Sequence, residues 1–438
     1  MAAEGTAAAK EAPRFEVLLK GGHLIDPANG RSGPLDLGIA QGKVAAVDSG
    51  MPAETAAKMV DVTGMYVVPG LIDIHVHCHV FSEYMTGSIV ADGQSWRAGI
   101  TTMVDAGTAG ALDFGRFKER VIDKSRTRIL AFVNIADHGM GPGEQEREHL
   151  LPELCAGACR AFREVVGVKS AHYWTRQPWD EKHAPWDNVD QAVRAGELCE
   201  LPVMVDFWPR PPERSYEELI LRKLRPGDIH THVFAQQHPI ILEDGRVNPA
   251  LFEARKRGVI FDVGHGAGSF WFRNGARALE QGFPPDSIST DLHTGNAATG
   301  MVTSLLEVCN KYLNMGMELD EVIRRATVTP ARQIGRSELG HLSVGAAADV
   351  AVLRLVRGSF GFFDCGRAKI TGDRKLEAML TYQAGQLCFD ANALTMPRWQ
   401  DAPGDYWVCK QEEEEWHPAP APAAGSGPPP SPPWACGR

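Results

Sequence analysis

Met65-Tyr66-Val67-Val68-Pro69-Gly70-Leu71-Ile72-Asp73-Ile74-His75-Val76-His77 is an apolar run that ends in two histidines. Side chains of a β-strand point alternately to opposite faces, so His75 and His77 project the same way, close enough to hold one ion between them. Neutral imidazole nitrogen suits zinc and neighbouring transition metals. A strand that delivers two such groups to its end fits the first strand of a parallel barrel opening on its active face. Packing is the competing reason for histidines at a strand end, and the rest of the chain decides between the two. Cys78 stands between His77 and His79, but its parity turns it away from His75 and His77.

Further along, apolar strands alternate with helical stretches, as in Gly99-Ile100-Thr101-Thr102-Met103-Val104-Asp105 and Leu201-Pro202-Val203-Met204-Val205-Asp206. That rhythm belongs to βα units building a parallel sheet, and it marks residues 63–340 as a (β/α)8 TIM-like barrel of an α/β protein. The stretch from Glu318 to Ala326 has helical spacing, with acids in its first turn and arginines towards its end, and should close the barrel segment. Short alternating runs such as Phe15-Glu16-Val17-Leu18-Leu19, Gly42-Lys43-Val44-Ala45-Ala46-Val47 and Ala347-Ala348-Asp349-Val350-Ala351-Val352-Leu353 read as hairpin strands. Residues 15–62 and 341–395 are therefore expected to combine into one accessory β-sandwich. Residues 1–14 read as a disordered arm. Residues 400–438, where four glutamates at 412–415 precede a run rich in Pro, Ala, Gly and Ser, read as a disordered Pro-rich tail.

The 438 residues bury ample core for a barrel with an accessory sheet. A hydrophobic content of 44% with 23% charged residues is that of a globular chain, and no apolar stretch approaches the roughly 18 residues needed to span a bilayer. The first ten residues lack the basic leader and continuous apolar core of a secretory signal. A formal charge of −10 argues against nucleic acid as a partner, because phosphate binding depends on clustered Lys and Arg. Nine cysteines, scattered from 78 to 436 without a paired framework, read as reduced thiols in the cytoplasm.

Residues 69–77 read Pro-Gly-(apolar)-(apolar)-Asp-x-His-x-His, and three further segments follow in order: Gly167-Val168-Lys169, Phe261-Asp262-Val263-Gly264-His265-Gly266, and Ser289-Thr290-Asp291-Leu292-His293. On these motifs the chain resembles the amidohydrolase superfamily of metal-dependent hydrolases, in particular its amidohydrolase/deacetylase branch related to dihydroorotases, from about residue 16 to about residue 395. The resemblance implies one or two divalent ions, zinc-like, with His75 and His77 holding the first. It implies that Lys169 reacts with carbon dioxide to give a carbamate bridging two metals. As a plain ammonium, with a reference pKa of about 10.4, this lysine could not bind a cation, and its bland role is to cover apolar surface with its stem. In Ile229-His230-Thr231-His232-Val233-Phe234 the pattern selects His232 rather than His230 as the sixth-strand ligand. Asp291 is implied to touch the first metal and to carry the proton from the attacking water to the leaving group; its bland role is a helix N-cap. Asp206 departs from the pattern, standing where relatives place a histidine. A carboxylate there can still bind a transition metal, with a harder and more anionic shell.

Around these, His265 lies between Gly264 and Gly266, where backbone comes close to a ligand, and is expected to face substrate or stand behind the ligands. The stretch from His172 to Trp179 leaves the Lys169 strand as an active-site loop. His172 and Tyr173 are expected to form part of an apolar wall and Arg176 to pair a substrate carboxylate, while His293 lines the rim. The expected activity is hydrolysis of an amide or ester bond of a small molecule by metal-activated water, deacylase- or deacetylase-like, and a homo-oligomer is in keeping with barrel hydrolases of this kind. Two alternatives stand beside it: a cyclic amide hydrolase, and a catalytically silent scaffold of the same fold. Retention of His75, His77, Lys169, His232 and Asp291 argues against the scaffold.

Overall fold

The computed structural model describes residues 13–402, apart from the side chains of His172 and Tyr173. The expected N-terminal arm up to residue 12 and the tail from residue 403 lie outside the described residues. The chain divides into a unit Met1–Leu394, which holds everything below, and a unit Thr395–Arg438, whose described residues form turns and irregular backbone.

Seven parallel strands are hydrogen-bonded in chain order: Leu71–Val76, Ile100–Gly110, Arg128–Asn134, Val165–Ser170, Val203–Val205, Ile229–His230 and Ile260–Phe261. Nearly every residue in them is buried, because helices cover the sheet outside and side chains fill the barrel inside. Such strands read as continuous apolar runs in the sequence. One cluster, including Ile72, Ile74, Val104, Leu130, Phe132, Val166, Met204 and Ile229, is drawn from successive strands and receives Ala331 of the helix Val328–Gln333. The helix expected over 318–326 spans Leu319–Arg325, and the carbonyl of Ala326 after it accepts the Ile72 amide at 2.8 Å.

The expected eighth strand, ending at Asp291, is not a regular strand. Residues 287–292 instead bond to both neighbours through isolated parallel bridges, Asp262 with Ser287 and Val76 with Leu292. The cause is local: Asp291 adopts φ +51°, which breaks the extended run. Thr290 is fixed just before it, donating its amide and hydroxyl to the two oxygens of Asp73 at 3.1 and 2.7 Å.

Two further sheets lie outside the barrel. In the first, Phe15–Lys20 runs antiparallel to Asp36–Ala40 and parallel to Ala56–Asp61, and Lys43–Asp48 completes the edge. Gln41 and Gly42, both with positive φ, make the two-residue turn between Asp36–Ala40 and Lys43–Asp48. The second has six strands in the order Gln386–Asp390, Lys369–Gln383, Val350–Phe363, Tyr66–Pro69, His23–Asp26, Arg31–Pro34. Leu19, Leu37, Val44 and Val60 from the first meet Leu24, Val67, Val352 and Leu380 from the second in one apolar cluster. Tyr66–Pro69 therefore pairs in the accessory sheet although it falls in the stretch expected for the barrel. The chain changes sheets at Pro69-Gly70: the Gly70 amide bonds the Asp349 carbonyl, and the next amide, of Leu71, bonds Gly99. A side chain at Gly70 would run into Thr101.

Candidate active site

His75 lies near the end of the first barrel strand and His77 just past it, Lys169 lies in the fourth, Asp206 follows the fifth, His232 follows the sixth, and Asp291 sits in the irregular eighth segment. All six line one cavity of about 340 Å³, and His293 joins them. The candidate ligand atoms of His75, His77 and Asp291 fall within 4.8 Å of one another. Asp291 Oδ1 lies 3.0 Å from His77 Nε2 and 3.6 Å from His75 Nε2. Lys169 Nζ donates to His75 Nε2 at 3.2 Å, and His232 Nε2 is 3.6 Å from Asp206 Oδ2.

The far nitrogens of the three rings are held from behind. Thr231 donates its hydroxyl to Asp262 at 2.8 Å, so at its 2.8 Å contact with His75 Nδ1 it accepts, and His75 carries its proton on Nδ1. His232 Nδ1 donates to the Gly264 carbonyl, fixing the same tautomer. His77 Nδ1 meets Thr108 Oγ1 at 2.8 Å, and Thr108 in turn donates its amide to Asp105. For His75 and His232 this leaves the Nε2 lone pair aimed into the cavity, the form in which imidazole binds a metal. Asp262, buried, takes three hydroxyls, from Thr231, Ser287 and Ser289.

Charge follows burial. Desolvation, reinforced by the nearby Lys169, holds His75 well below the ordinary histidine range, so it is neutral. Burial also lowers Lys169, against the opposing pull of Asp206 and Asp291. For Asp291 burial would raise the carboxyl, but the His77 hydrogen bond and the fields of His77, His232 and His293 outweigh it and hold the group below its usual value. Asp73, with burial dominant over its Thr290 bonds, is pushed up to about 7.

Other residues weighed for the site fall elsewhere, among them His230, which the sequence pattern passes over for His232. His230 is buried off the cavity, edge-on to Tyr216 and His238. His265 does not reach the cavity: it is fully buried, stacked on Phe270, with Nε2 facing Lys311. The flanking glycines do bring backbone close to the site, but to Asp291 and His232 rather than to a substrate. Arg176 is exposed and is not among the described residues lining the cavity. The side chains of His172 and Tyr173 lie outside the described structure. Sequence reading missed the neutral wall formed by Met85, Met140, Trp208, Gln236, Gln237 and Ser269. It also missed Thr231 and Asp262, although both lie inside motifs already singled out.

A parallel barrel whose strand ends gather histidines, a buried lysine and carboxylates in one cavity has the groups of a metal-dependent hydrolase. The Amidohydrolase family model matches residues 273–383. A deacetylase of Agrobacterium fabrum is 31% identical over 324 residues, covering 72% of this chain and 77% of that protein. A deacetylase of Enterococcus faecalis is 29% identical over 347 residues, covering 78% and 90%. The crystal structure of an adenine deaminase superposes with a TM-score of 0.77 at 26% identity, over 86% of this chain and all of that one. The chain belongs to the amidohydrolase superfamily, and is a hydrolytic enzyme that uses divalent metal and acts on carbon–nitrogen bonds.

The relay behind His75 carries the first prediction. Thr231→Val keeps shape but removes the oxygen that fixes the His75 tautomer, and is expected to weaken divalent-metal binding by about 10- to 100-fold. A metal titration in competition with a chromophoric chelator measures this; an affinity unchanged within about twofold would show the relay to be dispensable.

Proposed function

We propose that this protein is a deacylase of the deacetylase kind, removing an acyl group from the nitrogen, or oxygen, of a small molecule. The observation that carries the reading is the convergence of His75 Nε2, His77 Nε2, Asp291 Oδ1 and Lys169 Nζ at one end of a barrel cavity. The donor set fits a pair of zinc-like ions. His75, His77 and Asp291 would hold one, and His232 and Asp206 the other, with Lys169 as a carbamate between them. Such ions lower the pKa of water and polarise the acyl carbonyl.

The chain's own groups do the rest. Asp291, kept ionised by its histidine neighbours, takes the proton of the attacking water and returns it to the leaving nitrogen. Thr231, Thr108 and the Gly264 carbonyl keep the three imidazoles in place during turnover. Met85, Met140 and Trp208 offer apolar surface to the acyl group and Gln236 and Ser269 neutral hydrogen-bonding groups to the rest of the substrate. Names of the deacetylase relatives support this assignment.

Residues 70–340 serve in this reading as the catalytic barrel, with 15–69 and 341–390 as the accessory sandwich. A cytoplasmic location agrees with the seven free cysteines among the described residues; among these residues no helix is long and apolar enough to cross a membrane. Assembly into a homo-oligomer rests on the family resemblance alone. The test is metal content and activity together. Protein purified without chelators is expected to carry about two divalent ions per chain and to hydrolyse N-acetyl compounds. Chelation should abolish turnover, and zinc or manganese should restore it. Metal-free protein with full activity would overturn the proposal.

A further inference from the structure

Lys311 is a fully buried cation outside the cavity. It lies on the helix Leu305–Asn314, and its Nζ donates to His265 Nε2 at 2.8 Å and to the Met301 carbonyl at 3.0 Å. The third direction looks over the Phe363 ring, 5.9 Å away. Burial pushes this ammonium down to about 8, with Glu307, Cys365 and Asp364 pulling the other way. An ammonium is expensive to bury, and here its side-chain hydrogen-bond partner is a neutral imidazole. His265, well below the ordinary histidine range through its own burial and the Lys311 charge, accepts on Nε2 and donates from Nδ1 to the Gly266 carbonyl at 3.0 Å.

The turn that His265 occupies touches the site on two sides. The Gly264 carbonyl accepts from His232 Nδ1, and the Gly266 amide bonds the Thr290 carbonyl at 2.9 Å, one residue before Asp291. Both glycines have positive φ, and a Cβ on Gly266 would stand 2.6 Å from Asp291 Oδ2. Asp291 itself has φ +51°, in the left-handed region that aspartate tolerates better than most side chains, so the turn beside it helps decide where its carboxylate points. The accessory sheet grips the same region. Asn310 exchanges bonds with both backbone groups of Leu376, Asp364 accepts the Phe272 amide, and Cys365 Sγ contacts the Gly266 carbonyl at 3.7 Å.

We infer that Lys311 is a positioning residue. Through His265 it fixes the Gly264–Gly266 turn, and that turn holds Asp291 and His232 in register. The inference rests on the proposed roles of Asp291 and His232, and it adds a residue that touches neither metal nor substrate.

Lys311→Met keeps the stem and removes the donor. Per metal-loaded chain, kcat is expected to fall by about 30- to 100-fold with KM changed less than about threefold, since small misplacements of reacting groups cost this much. Divalent-metal affinity, read by chelator competition, should fall by about tenfold through the loosened His232 and Asp291. His265→Leu should reproduce both defects. His265→Gln, which can accept from Lys311 and donate to Gly266, should recover kcat to within about threefold of the parent. The double variant Lys311→Met/His265→Leu should be no worse than either single one. Parent-like kcat and metal affinity in Lys311→Met, or losses that multiply in the double variant, would overturn the inference. Metal affinity requires no turnover, so it decides the matter even if the parent cleaves no acyl substrate. If Lys311→Met fails to fold, the contrast between the Leu and Gln variants at His265 decides it.

Discussion

Asp291→Asn is expected to lower kcat by about 10²- to 10⁴-fold while KM moves by less than about threefold, the loss that accompanies removal of a general acid–base group. The substitution is close to isosteric, and asparagine is among the residues that tolerate positive φ, so the backbone at +51° has no reason to change. The Asn296 side chain can still donate to the residue 291 carbonyl at 2.6 Å. What disappears is an anionic oxygen 3.0 Å from His77 Nε2, the group held ionised by its histidine neighbours. An amide neither accepts the proton of water nor hands it to a leaving nitrogen. Measured with an N-acetyl substrate, and with metal content determined on the same sample, kcat within about tenfold of the parent would remove Asp291 from the proton path. Loss of metal without further loss of activity per metal would reduce its role to that of a ligand.

How much of this was legible follows from which side chains obey simple periodicity. His75 and His77 could be read because the two-residue period of a strand carries them to one face. Lys169 and Asp206 could be placed because each stands at the end of an apolar run, and the parallel barrel gathers such ends in one place, whereas the resemblance was needed to choose His232 over His230. The segment around Asp291 could be assigned only by resemblance: its backbone departs from strand geometry where its function is concentrated. His265 shows a half-correct inference. Its glycines announced a close backbone approach, but sequence alone could not say whether a ligand or the site's own side chains came near. Lys311 carried no signal at all, because a lysine in a helix reads as surface until the fold buries it. The accessory strands were visible as alternating runs. Their pairing across the chain was not, since the parallel match of Phe15–Lys20 with Ala56–Asp61 depends on partners that periodicity does not name.

Lys169 supplies the other large effect. Its Nζ is buried beside an imidazole nitrogen 3.2 Å away and the Met204 sulfur at 3.8 Å, and burial lowers its proton affinity. A permanent ammonium is poorly served by these neighbours and would repel the cations that His75 and His77 are set to bind. A neutral amine, by contrast, can attack carbon dioxide, lose a proton and become an anionic carbamate that attracts them. Lys169→Ala is therefore expected to lose more than the roughly 10- to 100-fold in metal affinity typical of groups behind the ligands, with kcat falling further still. Two observations separate a carbamate from a lysine that merely fills space. Native-state mass of the parent should exceed the sequence mass by its bound metals plus one carbon dioxide, and acidification should release both. Short carboxylic acids, which present two oxygens in the vacated space, should restore part of the activity of the Ala variant in a saturable way. A parent whose mass shows no carbon dioxide beyond its metals, with an Ala variant that keeps the parent's metal content and turnover, would reduce Lys169 to a side chain that fills space.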